Sequence, residues 1–251
     1  MNDKRKLWLV LLIVLVILIG VLWYVSQQSE HTNDYQDLPL ITPDPNESHQ
    51  PYTQVTLDYS QIPPYDGSPD YIIAAEPFYG EFEKTASYEY EYYSMLDDLG
   101  RCGKCEASVC TETLPEMDRG EIGSVKPSGW KQAKYDFVDG KYVYNRCHLI
   151  GYQLTAENAN PLNLITGTRY LNVIGMLPYE NAVADYMRKH PDNHVFYRVV
   201  PIFVDNELVC RGVWMQAWSI EDNGKLSFNV FCYNVQPGIY IDYLTGETHQ
   251  A

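Results

Sequence analysis

The strongest hydrophobic feature of the chain is an apolar run over positions 7–25, which only Gly20 interrupts. A helix of this length can cross the roughly 30 Å hydrocarbon core of a bilayer. Three basic residues, Lys4, Arg5 and Lys6, precede the run and place its N-terminal end in the cytoplasm. The pattern predicts one N-terminal transmembrane helix, with the rest of the chain outside the cell membrane.

The end of this run favours an uncleaved signal anchor. A cleaved signal peptide has a shorter apolar core and ends at a site of small residues. Here the run ends with Trp23 and Tyr24, which suit a membrane interface, and no such site follows. We predict a basic flank and anchor over positions 1–26 in a single-pass protein of the cell membrane. Secretion after cleavage is the alternative.

The stretch after the apolar run is polar, and its hydrophobic residues follow neither a helical nor a strand period. Positions 27–55 are polar and rich in proline, which is typical of a flexible linker. Positions 56–251 contain the remaining hydrophobic patterns, and we expect them to form one extracellular domain.

Strand patterns dominate the last third of the chain. Runs rich in β-branched and aromatic residues cover positions 195–204, 207–220 and 226–235, and they predict an antiparallel meander. A last turn or hairpin is expected at positions 242–247. Before the meander, apolar residues recur on one helical face, and Pro178 suits the first turn of that helix. The combined pattern predicts an α+β fold built on an antiparallel sheet.

A further hairpin is predicted in the centre of the chain. Asp139-Gly140 is a turn signal between β-like positions 135–138 and 142–145. This hairpin would place His148 just past its second strand and Asn172 in or just before the next helix.

Charge is distributed unevenly. The net charge is −15. From Glu30 to Asp118 there are 19 acidic residues against three basic ones, a balance that predicts a solvated surface, with an acidic flap beside a binding groove as the alternative. From Arg119 to Asn172 there are seven basic residues against four acidic ones. A local basic groove on an acidic protein would hold phosphates and still release product.

The six cysteines all follow the apolar run, and outside the membrane they predict disulfides of undetermined pairing. Cys210 and Cys232 lie on two strands predicted to be neighbours and could face one another. Cys147 would pair with one of the cysteines at positions 102, 105 and 110, or remain free. A zinc site at positions 102–110 is the less favoured alternative, because only one CxxC pair is present.

Positions 144–180 contain the densest set of groups that could move protons, hold a metal or bind phosphate. Histidine is the side chain best suited to act as a base near neutral pH. An asparagine oxygen can bind a hard cation such as Mg²⁺, which keeps several waters, and arginine can contact phosphate bidentately. The relevant residues are Arg146, His148, Asn158, Asn160, Asn163, Arg169, Asn172 and Glu180. By residue type alone, a structural histidine and asparagine-rich turns remain the commoner interpretation.

The motif Asn145-Arg146-Cys147-His148 resembles the Asp-Arg-Gly-His signature of the DNA/RNA non-specific endonucleases, the ββα-metal or His-Me finger nucleases. Asn160-Pro161-Leu162-Asn163 and then Asn172 resemble the downstream motifs of the same family. Further similarities lie at positions 123–130 and 234–238, so the resemblance covers roughly positions 62–248. It implies a ββα-metal motif set in the antiparallel sheet.

The resemblance also implies roles for individual residues. His148 matches the general base, Asn172 the metal ligand, and Asn163 an asparagine that supports the metal and its water shell. Arg146 matches the signature arginine, and Glu180 an acid that acts through metal-bound water. Lys126 and Arg169 are the expected nucleic-acid contacts in the basic stretch.

Two residues depart from the signature. Asn145 replaces the aspartate, so any role of that carboxylate in orienting the histidine is lost or passes to another group. Cys147 replaces the glycine. These departures leave a catalytically decayed relative as an alternative.

The expected function is therefore a Mg²⁺-dependent endonuclease, with Mn²⁺ as a second candidate cation, that cuts DNA and as a second candidate RNA with low sequence specificity. Its products would carry 5′ phosphates. The alternative is a surface receptor that binds DNA without cutting it. The bacterial membrane and a DNA-uptake machinery are the expected partners. A structural surface protein with no nucleic-acid role is the third and least favoured reading.

Overall fold

The computed structural model describes positions 57–74 and 84–251. The predicted anchor and linker, at positions 1–26 and 27–55, lie outside the described residues. Within the described positions, no helix has the length and apolar character needed to cross a membrane.

The described elements are numbered in chain order. The strands are β1 (Asp70–Ile72), β2 (Tyr90–Tyr93), β3 (Cys105–Val109), β4 (Tyr144–His148), β5 (Leu164–Thr168), β6 (Val195–Ile202), β7 (Gly212–Ser219), β8 (Ser227–Tyr233), β9 (Ile239–Ile241) and β10 (Thr248–Gln250). The helices are α1 (Tyr152–Thr155) and α2 (Leu177–Lys189), and a π-helical turn, Leu171–Met176, leads into α2. Short 3₁₀ turns cover Tyr59–Gln61, Thr111–Thr113 and Pro161–Asn163.

One antiparallel sheet of six strands forms the body of the described domain, in the order β1-β8-β7-β6-β3-β2. The predicted meander is confirmed as β6, β7 and β8, each shorter than its sequence pattern because the ends enter turns. The prediction of an α+β fold on an antiparallel sheet is also confirmed.

Helix α2 and the π-helical turn pack on one face of this sheet. The Tyr179 ring of α2 lies 4.9 Å from the Phe228 ring of β8. Gly175 of the π-helical turn lies against Cys232, where an added Cβ would be 3.4 Å from the cysteine Cβ. Val183 and Met187, on the predicted apolar face of α2, are fully buried. This packing fixes the π-helical turn and the beginning of α2, which contain the candidate site residues Asn172 and Glu180.

The predicted hairpin of positions 135–138 and 142–145 is present only as a single antiparallel bridge between Lys134 and Tyr142, and it does not supply the partner of β4. Strand β4 pairs with β5, with Cys147 opposite Ile165 and His148 opposite Leu164. Positions 135–141 instead form consecutive turns, in which Lys141 and Gly140 have positive φ angles of 67° and 68°. The two strands of the ββα motif are therefore β4 and β5, and the π-helical turn and α2 supply its helix.

The predicted last hairpin is confirmed as β9 and β10. Its turn contains Gly246, which has a φ of +83° and approaches Gly129 so closely that an added Cβ would lie 1.9 Å from the Gly129 carbonyl oxygen. The Tyr144 hydroxyl of β4 donates to the Gly246 carbonyl at 3.1 Å. The C-terminal hairpin thus supports both the first residue of β4 and the segment before it.

All six cysteines are free and buried, so the disulfide prediction is wrong. Cys102 donates to the Leu164 carbonyl at 3.2 Å, and Cys105 approaches the Leu162 carbonyl at 3.6 Å. Cys210 is near the Asn234 amide, whereas Cys232 lies near the Met215 sulfur. The thiols are occupied by local polar and sulfur contacts, and positions 102–110 form no zinc site among the described residues.

Candidate active site

A cavity of about 880 Å³ opens beside the β4–β5 ribbon and the start of α2. Its wall contains His148, Asn172 and Glu180, together with three arginines at positions 119, 146 and 169. Among the described residues that line it, Glu180 is the one carboxylate. A protein with a net charge of −15 therefore has a cavity in which cationic side chains outnumber anionic ones.

His148 ends β4 and is 6% exposed. Its Nε2 lies 2.7 Å from the Asn158 carbonyl oxygen, which can only accept, so Nε2 is the protonated nitrogen. Its Nδ1 lies 3.3 Å from an Nη2 of Arg119, which can only donate. The two partners select one tautomer, with a lone pair on Nδ1.

Burial, with a further contribution from the Arg119 charge, lowers the pKa of His148 to about 4 against the opposing effect of the Asn158 hydrogen bond. The imidazole is consequently neutral at physiological pH. A neutral ring with a fixed lone pair is the state in which histidine can accept a proton from water.

Asn172 lies in the π-helical turn, which confirms the prediction that it sits at the beginning of the helix. Its Oδ1 accepts from the Cys147 thiol, with 3.1 Å between sulfur and oxygen. π-Helical turns are rare and occur frequently at functional sites. This turn places Asn172 in the wall of the cavity that His148 also lines.

Glu180 lies in the first turn of α2, as predicted, and is 9% exposed. Burial raises the pKa of Glu180 to about 7, although Arg119 and Gln153 favour the charged form. Its carboxylate packs against Gly151, where an added Cβ would lie 2.7 Å from Oε2. The absence of a side chain at Gly151 therefore leaves room for this carboxylate in the cavity wall.

Arg146 is held by backbone carbonyls and an aromatic ring. Its Nη2 donates to the Gly123 carbonyl at 2.8 Å, and its Nε donates to the Val125 carbonyl at 2.5 Å. Its guanidinium carbon lies 4.3 Å from the centre of the Trp130 ring. These contacts indicate that Arg146 anchors the segment before β4 and presents the remainder of its guanidinium to the cavity.

Arg119 was missed as an individual site residue by the sequence analysis. The segment that contains it is held in place by Tyr152, whose hydroxyl donates to the Met117 carbonyl at 2.7 Å. The next residue, Gly120, lies against the Asn158 side chain. The available signal was the change of charge sign that begins at Arg119.

Of the remaining predicted residues, Arg169 belongs to the cavity wall, whereas Asn163 and Lys126 do not. Asn163 is fully buried and absent from the cavity wall, and both its amide atoms bond with the Ile150 backbone at 2.9 Å. Asn163 therefore holds the backbone at Ile150. Its side chain does not reach the cavity in which it was expected to support a metal and its water shell. Arg169 lines the cavity rim but is paired with Asp139 at 2.8 Å. Lys126 is exposed and lies outside the cavity wall.

The donor set fits a hard divalent cation. Asn172 and Glu180, whose side chains contain oxygen ligands, both line the cavity, and a Mg²⁺ ion prefers oxygen ligands while keeping several waters. The described residues contain no cluster of three or more histidine, cysteine or acidic ligands. That composition suits a cation bound mainly through water and disfavours a closed zinc cage.

The family model of the DNA/RNA non-specific endonucleases matches residues 82–220 of the chain, a range that contains the whole cavity wall. The chain belongs to this family. The resemblance inferred from the sequence motifs is thereby confirmed.

Relatives of this nuclease family resemble the chain in sequence and in fold. A deoxyribonuclease of Streptococcus dysgalactiae subsp. equisimilis is 35% identical over 109 residues, which are 42% of this chain and 32% of the relative. The chain thus spans about a third of the length of that relative. The magnesium-bound structure of NucA from Streptococcus agalactiae superposes with a TM-score of 0.60 at 25% identity, over 67% of this chain and 81% of NucA.

A zinc-bound structure of the nuclease Sda1 gives a TM-score of 0.56 at 25% identity, over 64% of this chain and 82% of Sda1. The described domain therefore has the α+β fold of these nucleases.

The low pKa of His148 predicts a specific loss of stability in acid. In the unfolded chain this histidine takes up a proton near pH 6.5, whereas the folded protein does so only near pH 4. Stability from this group is present above about pH 6.5 and falls by about 2–3 kcal/mol on acidification to about pH 4.5. A His148→Gln nuclease should lack this component. Urea unfolding at both pH values measures it.

Glu180 acts in the opposite direction, since its raised pKa favours folding as the pH falls below about 7. Both proteins contain Glu180, so its contribution cancels in the comparison. His249→Gln, at an exposed position, is the control and should keep the wild-type dependence. Identical pH dependence in wild type and His148→Gln would contradict the burial of a neutral imidazole.

Proposed function

We propose that this protein is a divalent-metal-dependent endonuclease that hydrolyses phosphodiester bonds of DNA, with RNA as a second substrate and no sequence specificity. The observation that carries the proposal is the fixed tautomer of His148, with its lone pair on Nδ1, in the wall of a cavity that also contains three arginines. The described residues that line the cavity include no serine, threonine or cysteine, so a base there suits activation of water. The surrounding arginines suit a polyanionic substrate.

The base step follows from the hydrogen bonds of His148. Once Arg119 has moved from Nδ1 to the phosphate of a bound substrate, Nδ1 takes a proton from water, and the Asn158 carbonyl stabilises the resulting imidazolium through Nε2–H. The hydroxide equivalent attacks phosphorus. Because the imidazole is buried, its positive charge is unfavourable there, and the proton is readily passed on after the step.

Arg119 has the geometry to bind the reacting phosphate. Its Nη2 already lies 3.3 Å from Nδ1, so a phosphate beside the attacking water would be within reach of the same guanidinium. Arginine binds phosphate oxygens bidentately and can stabilise charge that develops in the transition state. A cation at Asn172, with Glu180 acting through bound water, would stabilise the leaving 3′ oxygen and leave a 5′ phosphate on the product.

Asn145 does not favour the alternative of a decayed DNA-binding receptor. Residue 145 replaces the signature aspartate, but the orientation of His148 comes from the Asn158 carbonyl. The base therefore keeps its tautomer without a carboxylate at position 145.

Low sequence specificity follows from the chemistry of the cavity. Its charged groups suit phosphates, which are the same for every base and carry no sequence information. The net negative charge of the rest of the protein opposes tight non-specific retention of nucleic acid. Such a balance favours turnover over storage of the substrate.

We further propose that the enzyme acts outside the cell, held to the bacterial membrane by positions 7–25, where a DNA-uptake machinery is a candidate partner. Two structural neighbours are described as an extracellular endonuclease and an extracellular nuclease. The basic flank and long apolar run of the sequence support the anchor.

Replacing the base tests the reaction directly. The purified full chain should nick supercoiled plasmid in Mg²⁺ and stop in EDTA, and His148→Ala should lower the rate by about 10²–10⁴-fold because water activation is lost. His249→Ala, an exposed histidine outside the cavity, should cleave at the wild-type rate. Plasmid that stays intact with wild type in Mg²⁺ and Mn²⁺, while a gel shift shows binding, would favour the receptor instead.

Arg119→Ala should reduce kcat by roughly 10²-fold or more, because a donor to the developing phosphate charge is removed. Arg119→Lys should recover only part of this loss, since lysine lacks the bidentate geometry. Arg188→Ala, on the exposed side of α2, is the matched control for loss of one cationic charge. A wild-type kcat in Arg119→Ala would exclude Arg119 from the phosphate site.

The anchor can be tested by fractionation of cells expressing the chain. The nuclease should sediment with membranes, remain there in high salt, and be accessible to external protease. Replacing two leucines of the run, Leu11→Arg and Leu12→Arg, should abolish insertion, because each charge at a helix centre costs about 3 kcal/mol on insertion scales. Recovery of the wild-type protein in the medium as a shortened chain would favour cleavage and secretion.

A further inference from the structure

Cys147 contacts the residue expected to hold the metal. It lies in β4 between Arg146 and His148 and is fully buried. Its sulfur is 3.1 Å from the Asn172 Oδ1 and 3.4 Å from the Met176 sulfur, both on the π-helical turn. Because neighbouring strand residues point to opposite faces, Cys147 reaches this turn while His148 reaches the cavity.

The β4–β5 ribbon provides the space for this side chain. Gly167 of β5 lies beside Cys147, and an added Cβ there would be 2.5 Å from the Cys147 Cβ and 3.1 Å from its sulfur. The signature motif has glycine where this chain has Cys147. The side chain of Cys147 therefore occupies space that is available because Gly167 has no side chain.

The hydrogen bond restricts the amide of Asn172. The two ends of an asparagine amide have similar shapes, and rotation about its last torsion is only weakly restricted. A thiol can donate one hydrogen bond, and an amide oxygen has two lone pairs. When Cys147 donates to one lone pair of Oδ1, the amide is held in one orientation, and the other lone pair of the oxygen remains available to a cation.

We propose that Cys147 is a positioning residue, whose thiol holds the Asn172 amide with its oxygen directed to bind a divalent cation. The inference rests on the proposed metal role of Asn172. It adds a donor that replaces the signature glycine, and it assigns a purpose to a buried cysteine that forms no disulfide.

Metal binding can be measured separately from cleavage. Titration of the full chain with Mn²⁺, followed by water-proton relaxation, gives the Kd, and Asn172→Ala defines the signal without the site. Cys147→Ala and Cys147→Val should each raise the Kd about fivefold, the factor that corresponds to one lost hydrogen bond. Cys147→Ser, which retains a donor, should stay within about twofold of wild type.

Cys232→Ala is the matched control. Cys232 is also fully buried and free, and it lies near the Gly175 carbonyl at the back of the same π-helical turn. Its truncation removes a similar volume from the core without touching Asn172. It should lower the melting temperature as Cys147→Ala does, yet leave the Mn²⁺ affinity unchanged. Cys147→Val keeps the core filled and serves where the alanine variant is too unstable to assay.

Three results would overturn the inference: wild-type Kd in both Cys147→Ala and Cys147→Val, an equal loss of affinity in Cys232→Ala, or Mn²⁺ binding that survives Asn172→Ala. If the variants show the expected Mn²⁺ affinities but the wild-type protein does not cleave plasmid, the proposed function would be overturned and the inference about Cys147 would stand. The two hypotheses are therefore tested by different measurements.

Discussion

The two-sided hydrogen bonding of Asn163 to Ile150 is the constraint on which the candidate site depends. The chain leaves β4 at His148, forms a short helix and a turn, and must return before β5 can pair. Asn163 makes that return specific, because its side-chain oxygen accepts from the Ile150 N–H and its amide donates to the Ile150 carbonyl. A backbone bond from Leu149 to the Asn163 carbonyl completes the closure. The bonds are fully buried, where an unmatched amide would be costly.

Several features of the site follow from this closure. The enclosed segment presents the Asn158 carbonyl to His148, which sets the tautomer of the imidazole. Strand β5 begins immediately afterwards and brings Gly167 beside Cys147. The chain then turns into the helix that contains Asn172 and Glu180. Base, amide and carboxylate lie on three elements, β4, the π-helical turn and α2, and the closed segment lies between the first of these and the other two.

Features that depend on a local hydrophobic pattern could be predicted from the sequence. Features that depend on contacts between distant segments, such as the contact of Asn163 with Ile150, could not. The meander and the apolar face of α2 could be predicted because their hydrophobic residues recur with the short period of a strand or a helix, and the same positions are buried in the structure. The pairing of β4 with β5 could not be predicted, because Asp139-Gly140 is a turn signal whether or not strands flank it. Asn163 was assigned to the metal because an amide that clamps backbone and one that supports a cation are identical in sequence. Arg119 lies far from His148 along the chain and meets it only through loop contacts with Tyr152 and Asn158. The disulfide prediction was wrong because it used the expected cell compartment and the number of cysteines, and the distances between the sulfur atoms are not given by the sequence.

The six buried thiols have a consequence for how the protein matures. A secreted domain held by disulfides needs an oxidant, and its correct pairing is a slow step that a catalyst must guide. Here each cysteine is part of the packed interior, and the sheet is complete with every sulfur reduced. The described domain can therefore reach its native state without an oxidising machinery. Reductants in the surroundings would also leave its fold and its candidate site unchanged.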